Sequence, residues 1–302
     1  MTMADEAIKA GPVSHPSILT QAFRAVLLLR ESPVGMIGGG ICAFWVLVAL
    51  FAPLIAPFDP LATIQPMAMP MTESARGDTA GQVFLLGTDH LGRDILSRII
   101  YGSRTVMIYA PLATFCAYLV GILMGLPGGY FRGWVDAVLS FVANVILSFP
   151  VLVLYVIIIT VFGASGINIV LAVVFASAPG IFRIVRGLTL DLRSRDYVAA
   201  AQVRGESAWY IMLVEILPNA KGPLIVDACL RLGYVTITIG VLGFLGLGLP
   251  PPTPDWGGMI AETYKMAQAF PHMALFPCIA LSSLVLGLNL LADGLREISI
   301  RD

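Results

Sequence analysis

Val34–Phe58 is a run of 25 residues without a charged side chain. As a helix rising 1.5 Å per residue it reaches about 37 Å, enough to cross a hydrocarbon core of about 30 Å with some tilt. Thr105–Leu126 is a second such run, and Ala137–Phe162, Ile167–Phe182, Gly222–Leu249 and Met273–Ala292 follow. In lipid every backbone N–H and C=O must be satisfied inside the structure, which favours a helix for each run. The predicted fold class is therefore an all-α membrane protein with six transmembrane helices. Composition agrees, because 12% charged residues is about half of what a soluble domain carries. A net charge of −1 gives no basic footprint for nucleic acid, so the partner expected from composition is the lipid bilayer. Cys42, Cys116, Cys229 and Cys278 stand singly in apolar segments, which argues against a disulfide framework or a zinc site. The first run begins too late and is too long for a cleavable signal peptide.

The runs divide the chain into a tail at 1–33, a first span at 34–58 and a polar excursion at 59–104. Five spans follow over 105–293, with a polar loop at 196–219, and a short tail closes the chain at 294–302. The first fifteen residues read as a disordered tail, and Gly77–Gly81 as a mobile tip. Six spans put both termini on one side. With the amino terminus in the cytoplasm, inside segments hold 12 Lys and Arg and outside segments hold 5. The positive-inside rule thus places both termini and the 196–219 loop in the cytoplasm, and 59–104 outside.

Within the excursion, Phe84–Arg104 shows apolar Leu91, Ile95 and Ile99 against polar Arg93, Asp94, Ser97 and Arg98. This pattern predicts an amphipathic helix at the membrane surface, capped by Thr88 with Asp89 in its first turn. Asp89, His90, Arg93 and Asp94 invite a metal or acid–base role. Capping and i,i+4 pairing explain them better, since no second cluster completes such a site, and no metal is expected. Pro127–Asp136 reads as a tight turn, and Pro150 and Pro179 as kinks.

Asp196–Asn219 is a polar island between two apolar runs. Ala199, Ala200 and Ala201 favour a helix, Gly205 ends it, Ser207 caps a second and Pro218 stops that one. The prediction is helix, sharp turn, helix, with an alanine face that lets a partner approach the backbone. Glu206 lies in the turn. Spacing alone fits an ordinary interfacial loop equally well.

Asp227 and Arg231 lie i,i+4 within the fifth span. A lone arginine at mid-membrane costs about 2.5–3.5 kcal/mol, so compensation is expected, and acid before base is the favourable order. A mutually neutralising pair and a residue facing a translocation path both remain open, and Asn144 is a weaker path candidate. Gly240, Gly243, Gly246 and Gly248 give a small-residue packing face. Trp256 suits the membrane interface. No GxxxxGK[ST], HExxH or GxSxG motif occurs, so no catalytic residue and no cofactor is expected in this chain. A stand-alone channel or secondary transporter would rest its ion site on Asp227 and Arg231 alone.

Ala199-Ala200-Ala201, Gly205 and Ile216-Leu217-Pro218 together resemble the cytoplasmic EAA loop of ABC-importer permeases. Ala199 stands where that family often has Glu, and Glu215 where it often has an apolar residue. GTDxxGRDxxSRxxYGxR, from Gly87 to Arg104, and FLGLGLPPPTPDWG, from Phe244 to Gly257, are similar to C-type subunits of dipeptide, oligopeptide and nickel importers. The resemblance implies the type I ABC importer permease fold in a bacterial inner membrane, with Ala199–Ser207 and Pro218 coupling to an ATPase. It implies a second homologous permease, two cytoplasmic ATPase subunits binding ATP and Mg, and a periplasmic solute-binding protein. Peptides are the expected solute, with nickel chelates, glutathione, opines or sugar-phosphate conjugates as alternatives.

Overall fold

The computed structural model describes residues 32–75 and 79–301, with side chains through 297. The expected amino-terminal tail and Gly77 lie outside the described residues. The helices are α1 (Pro33–Leu50), α2 (Ala52–Ile55), α3 (Ile95–Phe131), α4 (Gly133–Leu147), α5 (Val151–Phe162) and α6 (Gly166–Leu192). They continue as α7 (Asp196–Val203), α8 (Ala208–Tyr210), α9 (Leu217–Phe244), α10 (Trp256–Thr263) and α11 (Pro271–Arg301). One small antiparallel pair, β1 (Thr72–Glu73) and β2 (Val83–Phe84), sits in the 59–94 excursion. Among the described residues, five helical stretches are long and apolar enough to cross a membrane, and the bent pair α4–α5 makes a sixth if it is one broken span.

Ser32 caps α1, its Oγ accepting from the Gly35 N–H at 3.3 Å, and Pro33 occupies the first turn where no N–H is needed. The helix ends at Leu50 rather than continuing to Phe58. Pro53 and Pro57 cannot donate to a helical ladder, and the chain restarts only as the single turn α2. α1 lies along α11 so closely that a Cβ on Gly38 would strike the α11 backbone at Leu291, and one on Gly294 would strike Gly35.

The tightest seam joins α3 to α6. Gly121, Gly125 and Gly129 form one stripe at i, i+4, i+8, facing Ile181, Val185 and Thr189 at the same spacing. An added Cβ would fall 2.5, 2.5 and 2.6 Å from those three side chains respectively. This small-residue seam lets two helices approach closely without a hydrophobic drive from water. Gly129 belongs to the expected turn at Pro127–Asp136, which the structure corrects. α3 runs on through Pro127 to Phe131, and only Arg132 and Gly133, both at positive φ, break the chain.

Further expectations fail for a common reason, the burial of polar groups by other elements. Phe84–Asp94 is not helical, and α3 begins at Ile95 with Asp94 as its cap, accepting from the Ser97 N–H at 2.7 Å. Thr88 caps nothing: its hydroxyl accepts from the Ala68 N–H and donates to the Gln65 carbonyl. The polar face of the expected surface helix is buried, with Arg93, Asp94, Ser97 and Arg98 all inside. Trp256 is likewise no interface residue. It is fully buried, donates from Nε1 to the Ile99 carbonyl at 2.9 Å and stacks edge-on against Trp45.

The small-residue face expected at Gly240, Gly243, Gly246 and Gly248 divides. Gly240 and Gly243 admit Leu281 and the α10 backbone, while Gly246 and Gly248 lie beyond the end of α9. Pro150 gives more than a kink, since α4 and α5 meet at 86° across Ser148–Pro150. Proline withholds a donor and disfavours helical geometry at Phe149, which opens this break.

Candidate functional site

The Asp196–Asn219 island folds as two short helices around one turn. α7 ends in the glycine-terminated pattern that the sequence signals. Gly205, at φ +79°, donates to the Gln202 carbonyl, and Glu206 donates to that of Ala201. Ser207 is extended and caps α8, accepting from the Tyr210 N–H at 3.2 Å. Arg204 ties the unit together, reaching Glu215 at 3.2 Å and Glu206 at 3.7 Å.

The three alanines do not share one face. Ala201 and Val198 are buried against Ile211, Met212 and Ile216, whereas Ala199 and Ala200 are exposed beside Val203, which is 90% exposed. Pro218 does not stop the second helix, contrary to the sequence-based expectation. The chain passes from α8 through a wide π segment, Ile211–Ile216, directly into α9, and Pro218 sits in the first turn of α9. The wider winding accommodates the donor that proline lacks, so a loop helix and a membrane helix form one 37-residue stretch, Ala208–Phe244.

Asp227 and Arg231 pair at 2.6 Å between Oδ2 and Nε, both 22% exposed. The Tyr118 hydroxyl, from α3, donates to the same Asp227 oxygen. Arg231 lies against α6, where a Cβ on Gly180 would come within 3.3 Å of its Nη1. The triad therefore knits α3, α6 and α9. Asn144 is not part of it: its Oδ1 accepts from Arg183 of α6 at 2.7 Å, beside the Arg186–Asp136 ion pair that also joins α4 to α6. Tyr118 carries no charge, and its separation from Asp227 along the chain hides it from the sequence.

At the opposite end of α9 a second cluster gathers. Asp89 accepts from Arg93 Nε at 2.7 Å and Arg98 Nη1 at 2.5 Å, and both arginines also reach Glu262 of α10, at 2.6 and 3.1 Å. The i,i+4 pairing of Asp89 with Arg93 is present as the spacing suggests. Burial works to raise the Asp89 pKa. The Arg93 N–H and the two guanidinium charges outweigh it and hold the carboxyl below its ordinary value. Burial raises Asp94 instead, against its hydrogen bonds from Ser97. Asp255, the α10 cap, is pushed up to about 6 by burial, with bonds from Gly258 and Gly257 opposing. Asp89, His90 and Glu262 offer ligand atoms within 4.8 Å of one another, yet Arg93 and Arg98 already occupy the carboxylates. Two guanidiniums at that point oppose a divalent cation.

A polytopic helical membrane protein with a projecting helical loop is the class these features define. Residues 117–302 match the family described as "Binding-protein-dependent transport system inner membrane component", and residues 20–71 match the "N-terminal TM domain of oligopeptide transport permease C". Over 251 residues the chain is 36% identical to a dipeptide transport system permease protein of Haemophilus influenzae, covering 83% of this chain and 84% of that one. It is 38% identical over 212 residues to a glutathione transport system permease protein of Pectobacterium atrosepticum, covering 70% of each. A di/tripeptide transport system permease protein of Pseudomonas aeruginosa matches at 36% over 252 residues, 83% of this chain and 82% of that one. The chain belongs to the binding-protein-dependent inner-membrane transport components, as a C-type permease of the peptide ABC importers.

Proposed function

We propose that this chain is one of two permease subunits of an ATP-driven importer that carries short peptides from periplasm to cytoplasm. The observation that carries the mechanism is the α7–Gly205–α8 unit. It projects Ala199, Ala200 and Val203 outward, is packed onto the base of α9, and passes into that membrane helix without a break. An ATPase that grips this unit moves α9 with it. Ala199, Ala200, Ala201, Gly205, Glu206, Ser207 and Pro218 thus form the coupling element, with Ala201 and Pro218 acting through packing and winding rather than contact. The partners are a homologous second permease, two cytoplasmic ATPases binding ATP and Mg, and a periplasmic solute-binding protein. Both termini face the cytoplasm, as the Lys and Arg distribution supports. Closure of the ATPases on ATP selects the outward-open state, and only their differential affinity for that state drives the shift. Asp227 and Arg231, steadied by Tyr118, stand beside the path.

Peptide carriage is supported by the dipeptide and di/tripeptide permeases that the chain resembles. A second solute, glutathione, is favoured by the 38% identity to a glutathione permease. The test is to isolate the tagged chain from its own membrane in mild detergent, identify every stoichiometric partner, and read the ligand of any co-purified binding protein by mass. Two P-loop ATPases, a second permease and a peptide-loaded binding protein are the expected result. Recovery of the chain alone, under conditions that keep a known importer intact, overturns the proposal.

A further inference from the structure

Arg183 of α6 is exposed and forms no ion pair among the described residues. Its Nη2 donates to the neutral Oδ1 of Asn144 at 2.7 Å, which leaves the charge unbalanced. Arg186, one turn further along α6, behaves differently. It pairs with Asp136 in the first turn of α4, at the end of the bundle that carries the Asp196–Asn219 loop. Arg183 reaches the opposite way, to a residue that lies beyond Asp136 along α4 by about 12 Å of helix. An arginine facing lipid turns its head back to the near interface. One that points deeper faces a bundle interior or a water-filled path, and the exposure of Arg183 selects the path.

Arg231 of α9 arrives at the same flank. Gly180 precedes Arg183 by one turn of α6, and a Cβ there would lie 3.3 Å from Nη1 and 3.5 Å from Nη2 of Arg231. The two guanidiniums therefore stand one turn apart along α6. Asp227 balances Arg231 at 2.6 Å, whereas Asn144 and Tyr118 carry no charge, so the group keeps one positive charge in excess. The polar face continues along α9 to Tyr234, 67% exposed and one turn beyond Arg231. A planar guanidinium matches a carboxylate with two parallel N–H bonds, and short peptides and glutathione share a free carboxylate. We propose that Arg183, with Arg231 beside it, receives the carboxylate of the solute as it crosses, which makes Arg183 a specificity-determining residue. This assignment rests on the importer function proposed above and adds to it the demand for an anionic group.

The test is uptake of labelled Ala-Ala by liposomes holding the purified complex and its binding protein, with ATP hydrolysis followed in parallel. Arg183→Gln, whose amide still reaches towards Asn144, should lose about tenfold or more of the uptake. Its recovery in the assembled complex and its ATP hydrolysis should stay within about twofold. Arg183→Lys, which restores the charge, should recover most of the uptake. Asn144→Ala, which removes the tie between α4 and α6 and keeps the charge, should cost about twofold at most. Equal losses in Asn144→Ala and Arg183→Gln would make Arg183 a structural tie, and full uptake by Arg183→Gln would leave it no role; either overturns the proposal. A second measurement needs no solute. Gly180→Cys, scored above the labelling of the parent chain, should react at least tenfold faster with an anionic methanethiosulfonate than with a cationic one. Arg183→Gln should erase that preference. A thiol that reacts with neither reagent, or with both equally, overturns the proposal as well. Lack of Ala-Ala uptake by the wild type would count against peptide import instead, with the thiol preference still deciding the anion site.

Discussion

Asp89 holds two buried guanidiniums at once, and its removal would leave Arg93 and Arg98 sharing only the part-exposed Glu262. Breaking a buried ionic cluster by deleting one partner costs about 3–5 kcal/mol, far more than a surface pair is worth. Asp89→Ala should therefore lower the thermal midpoint of the purified protein sharply, while Asp59→Ala, at an exposed turn, leaves it nearly unchanged. Asp255 adds a pH dependence of opposite sign to that of a salt-bridged acid. Its folded pKa of about 6 lies above the ordinary 3.8, so between those values the folded protein holds a proton that the unfolded chain has lost. The contribution is full below about pH 4 and is lost as pH rises through 6, about 3 kcal/mol in all. The midpoint of the wild type should fall more steeply from pH 4 to 6.5 than that of Asp255→Asn; equal slopes would refute this. Sequence spacing reveals the Asp89–Arg93 pair, because i,i+4 contacts are local. Glu262 lies 169 residues from Arg93, and nothing in the chain's pattern brings them together.

At the scale of elements, long apolar runs announce their helices, while prolines and charges mislead about the ends. Proline within a membrane helix leaves an unpaired carbonyl that neighbouring helices and local rewinding can satisfy. Hence α3 continues through Pro127 and α9 accommodates Pro218, although both residues signal a stop in isolation. Likewise Arg93, Ser97 and Arg98 look like a solvated face, because their partners Glu262 and the Phe58 N–H come from elsewhere. The α3–α6 seam was legible in principle, as Gly121, Gly125 and Gly129 recur every four residues. The last of them disappears into the misread turn. A prediction follows from this geometry. Gly125→Ala forces a Cβ to within 2.5 Å of the Val185 Cβ and should reduce the folded fraction in membranes. Val185→Gly removes the colliding atom. The double variant should then be more stable than the sum of the single effects implies, by 0.5–3 kcal/mol as coupled neighbours typically show. Strict additivity would mean that the two helices do not touch there.

For the molecule as a whole, the question is how a push at one end reaches the other. α7 cannot slide independently of α9, because Val198 and Ala201 are buried against Ile211, Met212 and Ile216 at its base. The turn at Gly205 sets the angle between α7 and that base. A side chain at Gly205 would meet no atom within 4 Å, so the cost of Gly205→Val is confined to the backbone, whose φ of +79° a β-branched residue strongly resists. That strain is on the order of 1–2 kcal/mol. It is too small to unfold a bundle whose main core lies among α1, α3, α6, α9 and α11, yet large enough to shift a turn with no packing to hold it. Gly205→Val should insert and accumulate to within about twofold of wild type, while uptake falls tenfold or more. Gly205→Asn, which tolerates the left-handed conformation, should keep most of the uptake. If the valine variant transported normally, the angle at this turn would carry no part of the coupling. The continuous path from the π segment into α9 would then transmit the push without it.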